Sequence, residues 1–155
     1  MKFNTVTASL SFASLALAQT FSIVEPSSGG SISPGQAFNV QIEQPAVQGI
    51  FQSVSMVIGL QRCGSSECTT TDGTIMGQIL YSNTFSPVRH DNTKPPYQNF
   101  TFSIDDTQPN NGFLHATQTF LTGAGPSVQL ATQSIPLKIT VPAANVASAK
   151  FKRGL

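Results

Sequence analysis

The chain has 155 residues, with Lys+Arg 8 against Asp+Glu 7, a formal net charge of +1, 10% charged residues and no Trp. This length supports one domain, large enough to bury a core without metals or many disulfides, and the near-neutral charge leaves no basic footprint for nucleic acid. With 39% apolar residues the chain can offset its ordering entropy, while its charge content lies well below the roughly 25% of ordinary globular domains, a balance common in secreted β-proteins.

The N-terminus sets the compartment. Lys2 precedes a mostly apolar stretch from Val6 to Leu17, interrupted by Thr7, Ser9, Ser11 and Ser14, which ends in Ala16-Leu17-Ala18. This is the pattern of a secretory signal peptide, cut between Ala18 and Gln19. The competing reading, an anchor helix, would need about 20 apolar residues to cross a bilayer, so stable membrane insertion is not expected. In an oxidising compartment Cys63 and Cys68, the chain's only cysteines, are predicted to form a disulfide. Zinc would need four ligands, and no His lies nearby to complete them. Closing so short a loop contributes about 2 kcal/mol by chain entropy, enough to pin a loop but not to hold a fold together.

Beyond residue 18 the hydrophobic period is 2 rather than 3.6, which predicts an all-β domain. Phe21 to Val24 reads as a first strand, ended by Pro26 and the Ser27-Ser28-Gly29-Gly30 loop. Phe38, Val40 and Ile42 alternate with Asn39, Gln41 and Glu43 in a second, and Val54, Met56, Ile58 and Leu60 form the inward face of a third. A fourth covers Ile75 to Tyr81. Pro87, Pro95 and Pro96 make Phe85 to Pro96 a crossing loop. Phe100, Phe102 and Ile104 then alternate with Asn99, Thr101 and Ser103, and after an Asn- and Pro-rich turn from Asp105 to Gly112 a strand runs from Phe113 to Leu121. The tight connection Gly123-Ala124-Gly125-Pro126 leads to a last strand region with Ile135, Leu137, Ile139 and Val141 on one face; Pro136, without an amide donor, marks an edge or a bulge. About seven antiparallel strands at this spacing predict an immunoglobulin- or fibronectin-like β-sandwich, with a small closed β-barrel as the alternative. The expected organisation is a signal peptide over residues 1–18, one domain over 19–142 and a flexible tail over 143–155.

Candidate chemistry is sparse. Asn99-Phe100-Thr101 is an N-glycosylation sequon, and strand alternation puts Asn99 on the solvent face. Asp105 and Asp106 could suggest paired carboxylates, but neighbours in extended chain point to opposite faces and both acids suit a turn. His90-Asp91 could be half a triad, yet no Gly-x-Ser-x-Gly elbow accompanies it. His115, on one strand face with Phe113, reads as a core-edge or hydrogen-bonded histidine rather than a ligand or base. Too few ligands remain for a metal centre, no cofactor is implied, and no catalytic constellation marks an enzyme. Lys152-Arg153 resembles a dibasic processing site in a tail that is otherwise simply solvated.

Three blocks carry a family resemblance: Gly77-Gln78-Ile79-Leu80-Tyr81, then Pro96-Tyr97-Gln98-Asn99-Phe100-Thr101, then Leu121-Thr122-Gly123-Ala124-Gly125-Pro126. In this order they resemble the fungal necrosis-inducing secreted proteins, small effectors of plant-associated fungi, with similarity from about Ile32 to Val141. The resemblance implies a secreted, non-enzymatic, effector-like protein that binds plant immune receptor kinases, suppresses pattern-triggered immunity or induces host cell death, and enters host cells to reach kinase domains. A monomer is expected, with the loop from Phe85 to Tyr97 as the contact. The alternative is a cell-wall or apoplastic carbohydrate- or lipid-binding module, for which a Trp-free chain would need Tyr81, Tyr97 or a Phe exposed.

Overall fold

The computed structural model describes residues 21–47, 49–64, 68, 71–105 and 110–141. The predicted cleavage point at Ala18 and Gln19, the acid Asp106 and the dibasic pair Lys152-Arg153 lie outside the described residues. Among the described residues eight strands build two packed sheets: β1 (Ser22–Glu25), β2 (Ser31–Ile32), β3 (Phe38–Glu43), β4 (Phe51–Arg62), β5 (Gln78–Asn83), β6 (Tyr97–Phe102), β7 (Asn110–Thr122) and β8 (Ser127–Ile139). One sheet has the order β1-β3-β6 and the other β2-β8-β7-β4-β5. This is the predicted all-β sandwich, with one strand more than expected. The addition, β2, is two residues long and pairs with β8 in parallel, the others being antiparallel. Among the described residues no helix is long and apolar enough to cross a membrane.

Period-2 alternation fills the interior. From the three-stranded sheet come Val40, Ile42 and Phe100; from the five-stranded sheet come Met56, Ile58 and Leu60 of β4, Leu114 and Ala116 of β7, and Leu137 and Ile139 of β8, all in one buried cluster with Phe21, Ile32, Phe85 and Ile104. Truncating any of the larger ones, Ile58→Ala for example, removes about 2–5 kcal/mol.

Three details of the predicted strands change. Val54 does not share the inward face of Met56, Ile58 and Leu60; it is 43% exposed. A bulge between Ser53 and Ser55 opposite β7 inserts one residue and reverses the facing of the strand's first part. The fourth strand starts at Gln78, not Ile75, because Gly77 takes φ +67° and turns the chain into the sheet only there. The strand expected from Phe113 starts at Asn110, inside the predicted Asp105–Gly112 turn, because pairing with Ile139, Lys138 and Leu137 of β8 extends it by three residues. Pro136 sits where its missing amide costs nothing. Gly29 N donates to Pro136 O at 2.8 Å, so residue 136 directs its backbone groups away from β7 and no β7 ladder bond is lost.

Candidate functional site

One end of the sandwich carries an open cleft of about 400 Å³ between the β3–β4 connection, the start of β4 and the β5–β6 loop. Pro45, Pro87, Pro96, Val47 and Phe51 give it apolar walls, and Gln44, Ser53 and Arg89 supply its polar groups. Sequence dictates the crossing loop here: Phe85 is buried and anchors its start, while the prolines keep the chain out of a ladder. The far side is tied down by Val88 and Tyr97, which exchange backbone hydrogen bonds of 3.1 and 3.0 Å, and by Gln44 N donating to Pro96 O at 2.9 Å. Ser86 N donates to Gln98 Oε1 at 2.9 Å. At the tip, Asp91 Oδ1 accepts from Thr93 N at 2.7 Å, Thr93 Oγ1 at 2.7 Å and Lys94 N at 2.8 Å, and those Thr93 and Lys94 bonds hold its carboxyl below the usual carboxylate range. Arg89 Nη1 donates to Lys94 O at 3.2 Å, and the His90 ring stacks on Tyr97 with centroids 4.1 Å apart. The His90-Asp91 pair is thus spent on loop structure: the ring on an aromatic face, the carboxylate on its own turn.

Beneath the cleft lies a residue that sequence reading passed over. Gln118 is fully buried on the core face of β7. Its Nε2 donates to Ser53 Oγ at 3.0 Å and to Gln44 Oε1 at 3.4 Å, both of which line the cleft, and among the described residues its Oε1 has no hydrogen-bond partner. A buried amide with one end unsatisfied, beside an open cleft, is the polar feature most distinctive of this end.

The second polar cluster is on the outer face of the five-stranded sheet, centred on His115, which is 0% exposed. Ser134 Oγ lies 2.7 Å from Nδ1 and Gln61 Oε1 lies 2.8 Å from Nε2. An amide oxygen only accepts, so Nε2 carries the proton and Nδ1 accepts from the Ser134 hydroxyl. The loop before β5 closes over the ring. A Cβ on Gly73, at φ +83°, would strike the Thr132 methyl and come within 3.6 Å of Nδ1, and a Cβ on Gly59 would strike the Met76 carbonyl, so two glycines let the loop lie flat on the strands. Burial pushes the His115 pKa down; the Asp72 carboxylate, itself held low by the Thr74 backbone amide, opposes that shift. The ring is therefore a neutral hydrogen-bond hub partnered at both nitrogens, and the Gly73 backbone lies over Ser134. Cys63 and Cys68 are joined by a disulfide with Cα atoms 4.8 Å apart, and Cys63 N donates to Asn111 O at 2.9 Å, tying that loop to β7. Asp105 is exposed. Among the described residues no group of three or more His, Cys, Asp or Glu could hold a metal ion.

On the open face of the small sheet, Asn99 is exposed; its Oδ1 accepts from Gln41 Nε2 at 3.0 Å, and Thr101 Oγ1 donates to Asn39 Oδ1 at 2.9 Å. Among the described residues neither tyrosine offers the open aromatic face that a sugar-binding module would need. Tyr81 is half-buried against Phe100 with its hydroxyl on Thr84 O at 2.5 Å, and Tyr97 is half-buried under His90.

The family model for the Nis1 family matches residues 16–140. The chain belongs to the Nis1 family. That is a fungal effector-like family, in keeping with the resemblance carried by the Gly77, Pro96 and Leu121 blocks. No curated protein matches this Nis1-family chain. Among solved structures it is similar to the superoxide reductase (neelaredoxin) of Ignicoccus hospitalis, at 14% identity over 76% of this chain and 80% of that one with a TM-score of 0.41. A single-substitution variant of that reductase gives 16% identity, 77% and 80% coverage and the same TM-score. A superposition of that quality carries no argument about fold or activity.

Proposed function

We propose that this Nis1-family protein is a secreted effector without catalytic activity that binds a host protein, a plant immune receptor kinase, at the cleft end of the sandwich. Binding there dampens pattern-triggered immunity or promotes host cell death. The observation that carries the reading is a pre-ordered loop beside an open cleft that offers both apolar walls and polar groups. The Val88–Tyr97 bridge, the Asp91 turn and the His90–Tyr97 stack fix the loop before any partner arrives, so binding need not meet the cost of ordering it. Val88, 60% exposed, and Ile50, 62% exposed, add apolar surface at this end, with Arg89 as its cation. Of these, Arg89 is the residue type enriched at protein–protein interfaces and their hot spots.

Kinase domains are cytosolic, so the effector enters host cells after secretion, where the Cys63–Cys68 bridge meets a reducing environment. Loss of a bridge spanning so few residues removes about 2 kcal/mol, which a sandwich of this size survives. The test is titration of the purified secreted chain against plant receptor-kinase cytoplasmic domains with and without reductant. Saturable binding in both conditions supports the reading. A folded sample that binds none of them redirects it to glycan and lipid arrays.

A further inference from the structure

β8 pairs with β7 along Ser127–Ile139 with no register shift, yet on its other side β2 reaches only Lys138 and Ile139. Backbone direction along β8 is fixed by three bonds. Gly29 N donates to Pro136 O, Lys138 N to Gly30 O and Thr140 N to Ile32 O, so the even-numbered residues point their polar groups away from β7. Val128, Leu130, Thr132 and Ser134 therefore present N–H and C=O groups to an edge where, among the described residues, no strand lies. The other edges among the described residues are shorter or interrupted. β1 carries a register shift and runs into Pro26, β2 is two residues long, β5 is interrupted by a shift opposite Ile58 and Gly59, and β6 has six residues with its Tyr97 end covered by the Val88 bridge. From Ser127 to Ile135 there is no charge, proline, glycine or bulge, and Val128 and Leu130 are 67% and 69% exposed on the outer face. An edge so long and unguarded is a template for another strand.

We propose that the occupant is β8 of a second copy, running antiparallel about a two-fold axis at Ala131 to make one continuous sheet. The argument for a second copy is the strand's self-complementarity. With the axis at Ala131, Leu130 faces Thr132 of the other copy and Val128 faces its Ser134, and the reverse pairs follow by symmetry. Each of these pairs joins two residues whose backbone groups already point outward, so each exchanges both its N–H···O bonds and every outward group from 128 to 134 is satisfied. Sliding the strands by two residues in either direction leaves outward groups unpaired at the ends. Even residues face even residues, so the Val128 and Leu130 side chains of both copies come to one face of the joined sheet as a single apolar patch. Gln129 meets Gln133 on the other face, and no charge opposes a like charge across the seam. The dimer edge is distinct from the cleft residues, and the proposal stands whether or not the kinase reading does.

The test is sedimentation of the secreted full chain from about 1 µM to about 1 mM, the range in which a modest strand-pairing interface dissociates, with hydrogen exchange read at both ends. The expected result is a two-copy mass at high concentration that falls to one copy on dilution, with the amides of Val128, Leu130, Thr132 and Ser134 protected only in the dimer. Leu130→Lys places a charge at the seam, and Val128→Pro removes one outward donor while leaving the β7 ladder intact; both substitute exposed side chains. Each should weaken association by about tenfold or more with an unchanged circular dichroism spectrum. A single copy at every concentration overturns the proposal, as does a dimer that neither substitution weakens. So does a monomer that pairs only after residues 142–155 are removed, which would make the tail the occupant, or one whose edge amides are protected only by a host protein.

Discussion

Replacing Gln118 with Met tests the polar feature under the cleft. The side chain is fully buried on the core face of β7, and an unpaired buried acceptor such as its Oε1 costs about 1–3 kcal/mol. Methionine has nearly the same volume and leaves no strong acceptor to pair. Against this, the substitution loses the 3.0 Å bond from Nε2 to Ser53 Oγ, worth about 0.5–1.5 kcal/mol net, and the contact to Gln44, which at 3.4 Å contributes little. Ser53 and Gln44 both line the open cleft, so water takes up the groups they recover. The balance favours Gln118→Met by about 1 kcal/mol, or about 3–5 °C in Tm for a domain of this size. Gln118→Ala, which opens a cavity as well, should cost about 2–3 kcal/mol by analogy with other large-to-small core changes. Urea unfolding with an unchanged m-value, paired with calorimetry, measures both. A Gln118→Met variant less stable by about 1 kcal/mol or more would show that Oε1 accepts a strong hydrogen bond in solution, and the reasoning would fail.

Four further outcomes follow from the same contacts. Because burial lowers the His115 pKa below its unfolded value of about 6.5, the unfolded chain binds the proton first; stability is fully present above pH 6.5 and falls as the pH drops from there towards the lowered folded pKa, and denaturation series between pH 7.5 and 5 should show a slope that His115→Gln removes. Gly59→Val drives side-chain atoms into the Met76 carbonyl and should cost about 1–3 kcal/mol by urea midpoint, with the loop before β5 losing exchange protection first. The Cys63→Ser, Cys68→Ser double variant should fold to the same circular dichroism spectrum with about 2 kcal/mol less stability. Asn99→Gln should reduce the mass of protein secreted from a eukaryotic host by one N-glycan, as intact mass spectrometry would show.

Where one residue type alternated with another, the sequence was readable. β3 and β6 were visible because Val40, Ile42 and Phe100 needed a dry face and Asn39, Asn99 and Thr101 did not, and the hydrogen-bonded state of His115 followed from its place beside the core. Val54 misled because a bulge reverses facing at a single inserted residue, and nothing in the run Phe51 to Leu60 announces which residue that is. The polar clusters were out of reach for a different reason. Gln118 meets Ser53 and Gln44, and His115 meets Gln61 and Ser134, only through strand register between distant segments, so no local window contains the partners. The edge of β8 left open among the described residues was hidden likewise, since it depends on β2 being too short to cover it.

The central claim is that the cleft end is the surface that engages the host kinase, and a paired substitution there tests it most directly. Val88→Asp with Arg89→Glu reverses the chemistry of two solvent-facing side chains while the Val88–Tyr97 backbone bridge and the buried Phe85 anchor remain. Titrated against the kinase domain that binds the unaltered chain, the double variant is predicted to lose about tenfold or more in affinity with its melting temperature unchanged. Equal affinity in a folded double variant would contradict the account and place the contact elsewhere on the sandwich.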